Sequence, residues 1–262
     1  MGKASARPAA AGPMHERKPP SLESVGPGGN VFAPGKLSRQ TLNDQVYDGL
    51  KDAIMSGSLL PGTVLTIRDL ARSFGVSMMP VREALSRLIA EKVLTFRPNR
   101  SVAVPVLTRG RFGQITKVRL LLEGAAAREG AMLISKSAVS EMEHLNAQME
   151  ASGPTEPKTF LDLNRRFHFT LYRAADQDVL VAIIESLWMQ SGPILNYVLR
   201  GAEERNTRPE VHHRKLIGAL KSRDADAAEA AIRADLESAA ATIMPMMPDV
   251  DQDGAAPLTI TS

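Results

Sequence analysis

The chain has 262 residues, enough for two domains with real cores, and it has no cysteine, which excludes disulfides and thiolate zinc sites. No apolar run approaches the ~18 residues a membrane span needs, and the N-terminus has Ala, Pro and Gly where a secretion signal has an apolar core, so a cytoplasmic protein without a membrane partner is expected. The net charge of +3 hides a split: residues 36–111 hold 12 Lys/Arg against 6 Asp/Glu, whereas residues 112–262 hold 16 against 21. A basic first module on an acidic second one fits nucleic-acid binding by the first alone.

Residues 1–36 are rich in Pro, Gly, Ala and Ser and read as a disordered tail, with Met14 a possible alternative start. Leu37 to Met55 reads as an amphipathic helix with Val46, Leu50 and Ile54 at four-residue steps. Gly57 to Gly62 ends it.

Thr66 to Ser101 is the most informative stretch. Leu70, Ala71, Phe74 and Val76 give a short helix an apolar side, and Gly75 suits its left-handed end. Ser77 is a good N-cap for a second helix, and Pro80 is tolerated in a first turn. Val81, Leu85, Leu88 and Ile89 recur at helical spacing and face a core, while Met78, Met79, Arg82 and Ser86 lie opposite. Val93, Leu94 and Phe96, then Val102, Val104 and Val106, predict two short strands around a turn, Arg97-Pro98-Asn99-Arg100, with two cations at its tip. Helix, turn, helix and basic hairpin in this order read as a winged helix-turn-helix. Its second helix suits a DNA major groove, and its wing suits phosphate or the minor groove. The alternative is a helical hairpin and a β-hairpin that only pack.

This stretch resembles the winged-helix domain of the GntR family of bacterial transcription regulators. The resemblance is carried by Leu60-Pro61-Gly62, Leu65, Leu70-Ala71, Gly75-Val76-Ser77, Pro80-Val81-Arg82-Glu83-Ala84-Leu85, Leu88 and the strand Val102 to Val104. It implies DNA contacts by Arg68, Ser77, Met78, Met79, Arg82, Arg97, Asn99 and Arg100. One position departs: the family usually has Arg directly after the serine, and here it is Met78, which cannot read a guanine edge. An operator different from the commonest one follows, or a larger role for Arg68, Arg82 and the wing arginines.

Beyond the wing no strand pattern survives. Helices are expected from Thr108, as a cap, to Met132, with Ile115, Val118, Leu122 and Ala125 on one side. Others are expected from Ser135 or Ser137 to Glu150, Thr159 to Ala175, Gln177 to Leu199 with a break at Gly192-Pro193, Thr207 to Lys221, and Ala225 to Ile243. The expected fold is mainly α: an N-terminal winged helix-turn-helix (residues 37–106), a C-terminal antiparallel all-α helical bundle (107–245) and a polar tail (246–262).

The bundle resembles the ligand-sensing FCD domain of the FadR-like GntR subfamily. The matching residues are Arg119 with Leu120-Leu121-Leu122-Glu123, Asn164-Arg165-Arg166-Phe167-His168 with Leu171, and His213 leading to Ala219-Leu220 and Asp224. Spacing supports a site here. Asn164 and His168 are four apart on one helix face. His213 and Asp235 flank a helix-helix turn on arms roughly 15 and 18 Å long, which folding back brings to one level. Two imidazoles, a carboxylate and an amide oxygen suit a divalent Zn, Ni or Mn ion. The family has Asp at the first of these positions and His at the other three, so Asn164 and Asp235 both depart from it. The alternative is a metal-free polar pocket with hydrogen-bonded histidines. Arg119 interrupts an apolar helix side and requires an anion. That anion is either a small carboxylate effector or Glu123, four residues on.

The expected function is a ligand-responsive transcription regulator, most simply a repressor, that binds a palindromic double-stranded DNA operator as a homodimer and answers to a small organic acid. Two other classes are open to the same sequence: an architectural DNA-binding protein with a vestigial sensor, and a metal-dependent helical enzyme. The second lacks a partnered nucleophile, a phosphate loop and paired carboxylates.

Overall fold

The computed structural model describes residues 41–97, 101–152, 157–195 and 210–249. The turn residues Asn99 and Arg100, residues 1–40 and 250–262 and the stretch containing Tyr197 and Leu199 lie outside the described residues. The start of the expected C-terminal tail is part of the fold: Met247 is buried and Arg109 pairs with Asp249 at 2.8 Å.

Helix α1 (Leu42–Met55) opens with a reciprocal capping box: Asp44 N–H donates to Thr41 Oγ1 at 3.2 Å, and Thr41 N–H donates to Asp44 Oδ2 at 3.1 Å. That cap starts the helix at Leu42. Strand β1 (Val64–Leu65) follows, then α2 (Ile67–Phe74), which Gly75 ends at φ +65°. Helix α3 (Met78–Ala90) buries Val81, Ala84, Leu85 and Leu88 against α1 and α2. Strands β2 (Thr95–Arg97) and β3 (Ser101–Ala103) form the wing, and β3 lies central in an antiparallel sheet ordered β1-β3-β2. The third strand was absent from the sequence reading. It is only two residues long, and its partner comes from beyond α3, with Val64 opposite Ala103.

Helices α4 (Arg109–Leu133), α5 (Lys136–Ser152), α6 (Pro157–Arg173), α7 (Asp178–Ser191), α8 (Glu210–Ser222) and α9 (Ala225–Ile243) build the bundle, with a 3₁₀ turn over Gly192–Ile194 after α7. Thr108 caps α4 and Asp224 caps α9, each accepting from a backbone N–H three residues on. Helix α4 is the central element and packs on α6, α7 and α9. Its approach to α6 is close: a Cβ on Gly130 would stand 2.6 Å from the carbonyl oxygen of Leu171.

The inward side of α4 differs from the sequence expectation. Phe112, Ile115, Thr116, Arg119, Glu123, Ala126, Ala127, Gly130 and Ala131 are buried, whereas Val118 and Leu121 are exposed. The charged pair therefore faces the core and part of the apolar side faces out. This is tolerable because the ions find each other and further polar partners inside.

The bundle and the winged elements are in direct contact. Lys51 of α1 pairs with Glu185 of α7 at 2.6 Å, and a Cβ on Gly192 would meet the carbonyl oxygen of Ile54 at 3.0 Å. The end of α7 is thus seated against the end of α1. No helix among the described residues is long and apolar enough to cross a membrane.

Candidate functional site

The two sets of expected site residues lie in opposite environments. On the winged elements, Arg68, Ser77, Met78, Met79 and Arg82 are all exposed, and Arg97 is half-buried at the end of β2. Ser77 occupies the N-cap position of α3, but its hydroxyl makes no cap bond to the helix. Asn99 and Arg100, at the wing tip, lie outside the described residues.

In the bundle, His168 of α6, His213 of α8 and Asp235 of α9 converge. One ligand atom from each lies within 4.8 Å of the others, and both imidazoles are buried. His168 Nε2 is 3.4 Å from Asp235 Oδ2, and His213 Nε2 is 3.9 Å from Asp235 Oδ1. The turn between α8 and α9 does bring residues 213 and 235 to one level. Asn164 stands one helical turn before His168 and is half-buried.

Burial holds both imidazoles neutral. Desolvation, with His213 and Arg119 nearby, pushes His168 well below the usual histidine range, and desolvation, aided by His212, lowers His213 to about 3. The contacts to Asp235 are therefore not ion pairs.

The neighbours of each ring decide its tautomer. Asn146 Nδ2 donates to Glu150 Oε1 at 2.8 Å, so its oxygen is left for His213 Nδ1, at 3.1 Å. Nδ1 must then carry the proton, and His213 Nε2 presents a lone pair. Tyr172 donates its hydroxyl proton to Glu123 Oε2 at 2.6 Å, and burial together with Glu123 keeps that hydroxyl protonated. Tyr172 can only accept from His168 Nδ1, at 3.1 Å, so His168 Nε2 also presents a lone pair. Two lone pairs and a carboxylate thus face one another in a buried space. His213 Nε2 has no hydrogen-bond partner among the described residues. This set of acceptors fits a cation bound by N and O donors.

The chain of contacts continues through Glu123. Arg119 Nε donates to Glu123 Oε1 at 2.5 Å, its Nη2 to Glu123 Oε2 at 3.3 Å, and its Nη1 to Ser191 Oγ at 3.3 Å. Of the two anions weighed for Arg119, the structure holds Glu123. The guanidinium lies 4.8 Å from the ring centre of Trp188, whose Nε1–H is buried without a partner among the described residues. Ser191 is the last residue of α7, next to the Gly192 seat on α1.

Sequence reasoning missed Asn146 and Tyr172. Both left a signal. Asn146 is a polar residue in the buried row of Met142, Leu145 and Met149, and Tyr172 is four residues after His168 on one face.

Comparison with known proteins agrees with this layout. Residues 42–104 match the family "Bacterial regulatory proteins, gntR family", and residues 114–238 match the FCD domain. The chain is 29% identical over 192 residues to the HTH-type transcriptional regulator McbR of Escherichia coli K12, covering 72% of this chain and 87% of that protein. It is 31% identical over 203 residues to the gluconate operon transcriptional repressor of Bacillus subtilis 168, covering 74% and 82%. The solved structure of E. coli McbR/YncC superposes with a TM-score of 0.73 at 26% identity, over 79% of this chain and 98% of that one. These relatives are transcription regulators, not enzymes, and a winged helix-turn-helix DNA-binding unit is joined here to an FCD ligand-binding domain: the chain belongs to the GntR family of bacterial transcription regulators.

Proposed function

We propose that this regulator is a homodimeric repressor that binds a palindromic operator and is modulated by a small carboxylate effector at a divalent metal held by His168, His213 and Asp235. Residues 37–106 serve the DNA and residues 107–245 the effector. The observation that carries the reading is the buried cluster in which two imidazole lone pairs face a carboxylate. Electron-rich ends are thereby held together in a medium that screens them poorly. Asn164, one turn before His168, is the fourth donor in this reading. A divalent ion held by these donors would satisfy the facing lone pairs and carboxylate and would offer a seat for a carboxylate effector.

The chain's own residues do the rest. Asn146 and Tyr172 hold the rings in the metal-binding tautomer. Trp188 offers a buried N–H to an effector oxygen. Arg119 is kept in place by Glu123 and adds positive charge beside the site without having to release its partner. A relative named for a gluconate operon agrees with a hydroxycarboxylate class of effector.

The exposed Arg68, Ser77 and Arg82 and the half-buried Arg97 serve the DNA, and the wing-tip residues Asn99 and Arg100 are assigned to it from the sequence alone. The exposed row Val118, Leu121 and the half-buried Leu122 and Ala125 on α4 supplies an apolar face for a second copy. An effector that favours one seating of α7 on α1 then shifts the spacing of the two winged units and so the operator affinity.

The test has three readouts on tag-free protein. Mass spectrometry should find about one ion per chain, lost in His213→Ala; sedimentation should find a dimer; and operator binding should respond to carboxylates only in the metal-loaded protein. A metal-free protein even after reconstitution would sink the metal assignment. An operator complex indifferent to every carboxylate would favour a vestigial sensor instead.

A further inference from the structure

The outward face of α3 carries two rows of side chains, Met78–Arg82–Ser86 and Met79–Glu83–Arg87. The second row is tied back into the protein beyond its first member. Glu83 accepts from Asn43 Nδ2, and Arg87 donates to Glu91 at 3.1 Å while its guanidinium lies 3.7 Å over the ring of Tyr47. That leaves Met78, Met79, Arg82 and Ser86 to meet a partner.

Two of those four are methionines, 50% and 64% exposed, in the first turn of the helix. That turn is the part of a recognition helix that reaches base edges. A thioether donates no hydrogen bond and accepts only weakly, so neither side chain can read a guanine or adenine edge. The one major-groove feature that an apolar side chain distinguishes is the 5-methyl group of thymine. Methionine's flexible, polarizable chain can settle on such a methyl without a fixed rotamer. Arg82 lies one helical turn from Met78 on the same face, Arg68 is exposed on α2, and residues 36–111 carry a net +6, so a polyanion and not a second apolar protein is the fitting occupant.

From this we infer that Met78 and Met79 are specificity-determining residues that read thymine methyl groups at two neighbouring positions of each operator half-site. The inference rests on the DNA-binding reading above. Met78 and Arg82 are four residues apart, about 6 Å along the axis. The thymines therefore lie within about two base steps of the base contacted by Arg82.

The test begins by enriching duplexes from a random pool with the full-length protein. The enriched operator is then remade with deoxyuridine at each thymine in turn, which removes only the methyl, and affinities are compared by competitive gel shift. The expected result is about a fourfold loss per methyl at two adjacent positions of a half-site and no change at thymines elsewhere. In the M78A/M79A double variant the thymine-to-uracil ratio should fall to about one at those positions, and in Arg82→Ala it should persist. Equal binding of thymine and uracil operators by the wild type would overturn the assignment, as would a ratio undiminished in M78A/M79A. A protein that enriches no duplex would overturn the DNA-binding reading itself and this assignment with it.

Discussion

The two halves of this regulator handle polar chemistry in opposite ways. Helix α3 leaves Met78, Met79 and Arg82 exposed at the surface, without a polar partner among the described residues. The bundle buries its working groups and commits nearly every one of them: Arg119 to Glu123 and Ser191, Tyr172 to Glu123, His168 to Tyr172, His213 to Asn146. A surface that meets a large external polyanion needs free donors and apolar tips, since its partner supplies the order. A pocket that holds a small ion must arrive ordered, because a few bonds cannot offset the cost of arranging it.

The contrast is sharpest in the ion pairs. Glu123→Ala leaves Arg119 charged and buried and strips Tyr172 of its acceptor. It should cost about 3–5 kcal/mol of folding stability, read from the urea midpoint, and a loss under 1 kcal/mol would mean that the buried network holds little. Arg82→Ala should weaken specific operator binding by about 1–3 kcal/mol with metal content unchanged. If metal content fell with it, the two halves would not be separable as drawn.

A change behind the His213 ring should be nearly as large. Asn146→Ala removes the group that orients His213 and should lower metal affinity about 10- to 100-fold, measured by competition with a chelator; undiminished affinity would break the tautomer argument. At the small end, Arg72→Ala removes an exposed ion pair with Asp69, 3.1 Å apart. Less than about 1 kcal/mol should be lost, and a larger loss would erase the distinction between surface and buried charge.

The winged half was the more legible of the two. Gly75 at φ +65° and the burial of Val81, Leu85 and Leu88 follow from local rules applied residue by residue. In the bundle, the apposition of His213 with Asp235 was legible because helical arms have a fixed rise. The facing of α4 was not. Apolar periodicity put Ile115, Val118, Leu122 and Ala125 on one side; the structure buries Ile115 with Arg119 and Glu123, leaves Leu122 and Ala125 half-buried and exposes Val118. A sequence pattern weighs each residue alone, whereas a buried ion pair is tolerated only with partners such as Tyr172 and Ser191, which come from other helices.

Local sequence rules were enough to say where most helices run, which helix carries exposed cations and methionines, and which two histidines and which aspartate sit at matching levels. Those properties depend on hydrogen bonds and periodicities that span a few residues. Packing between helices was needed to place Asn146 and Tyr172 behind the two imidazoles, to turn both Nε2 atoms toward Asp235, and to end the chain of contacts at Ser191 beside the seat of α7 on α1. Those facts depend on side chains from α4, α5, α6, α7, α8 and α9 meeting in one buried volume. There each polar atom's role is set by neighbours that are remote in sequence.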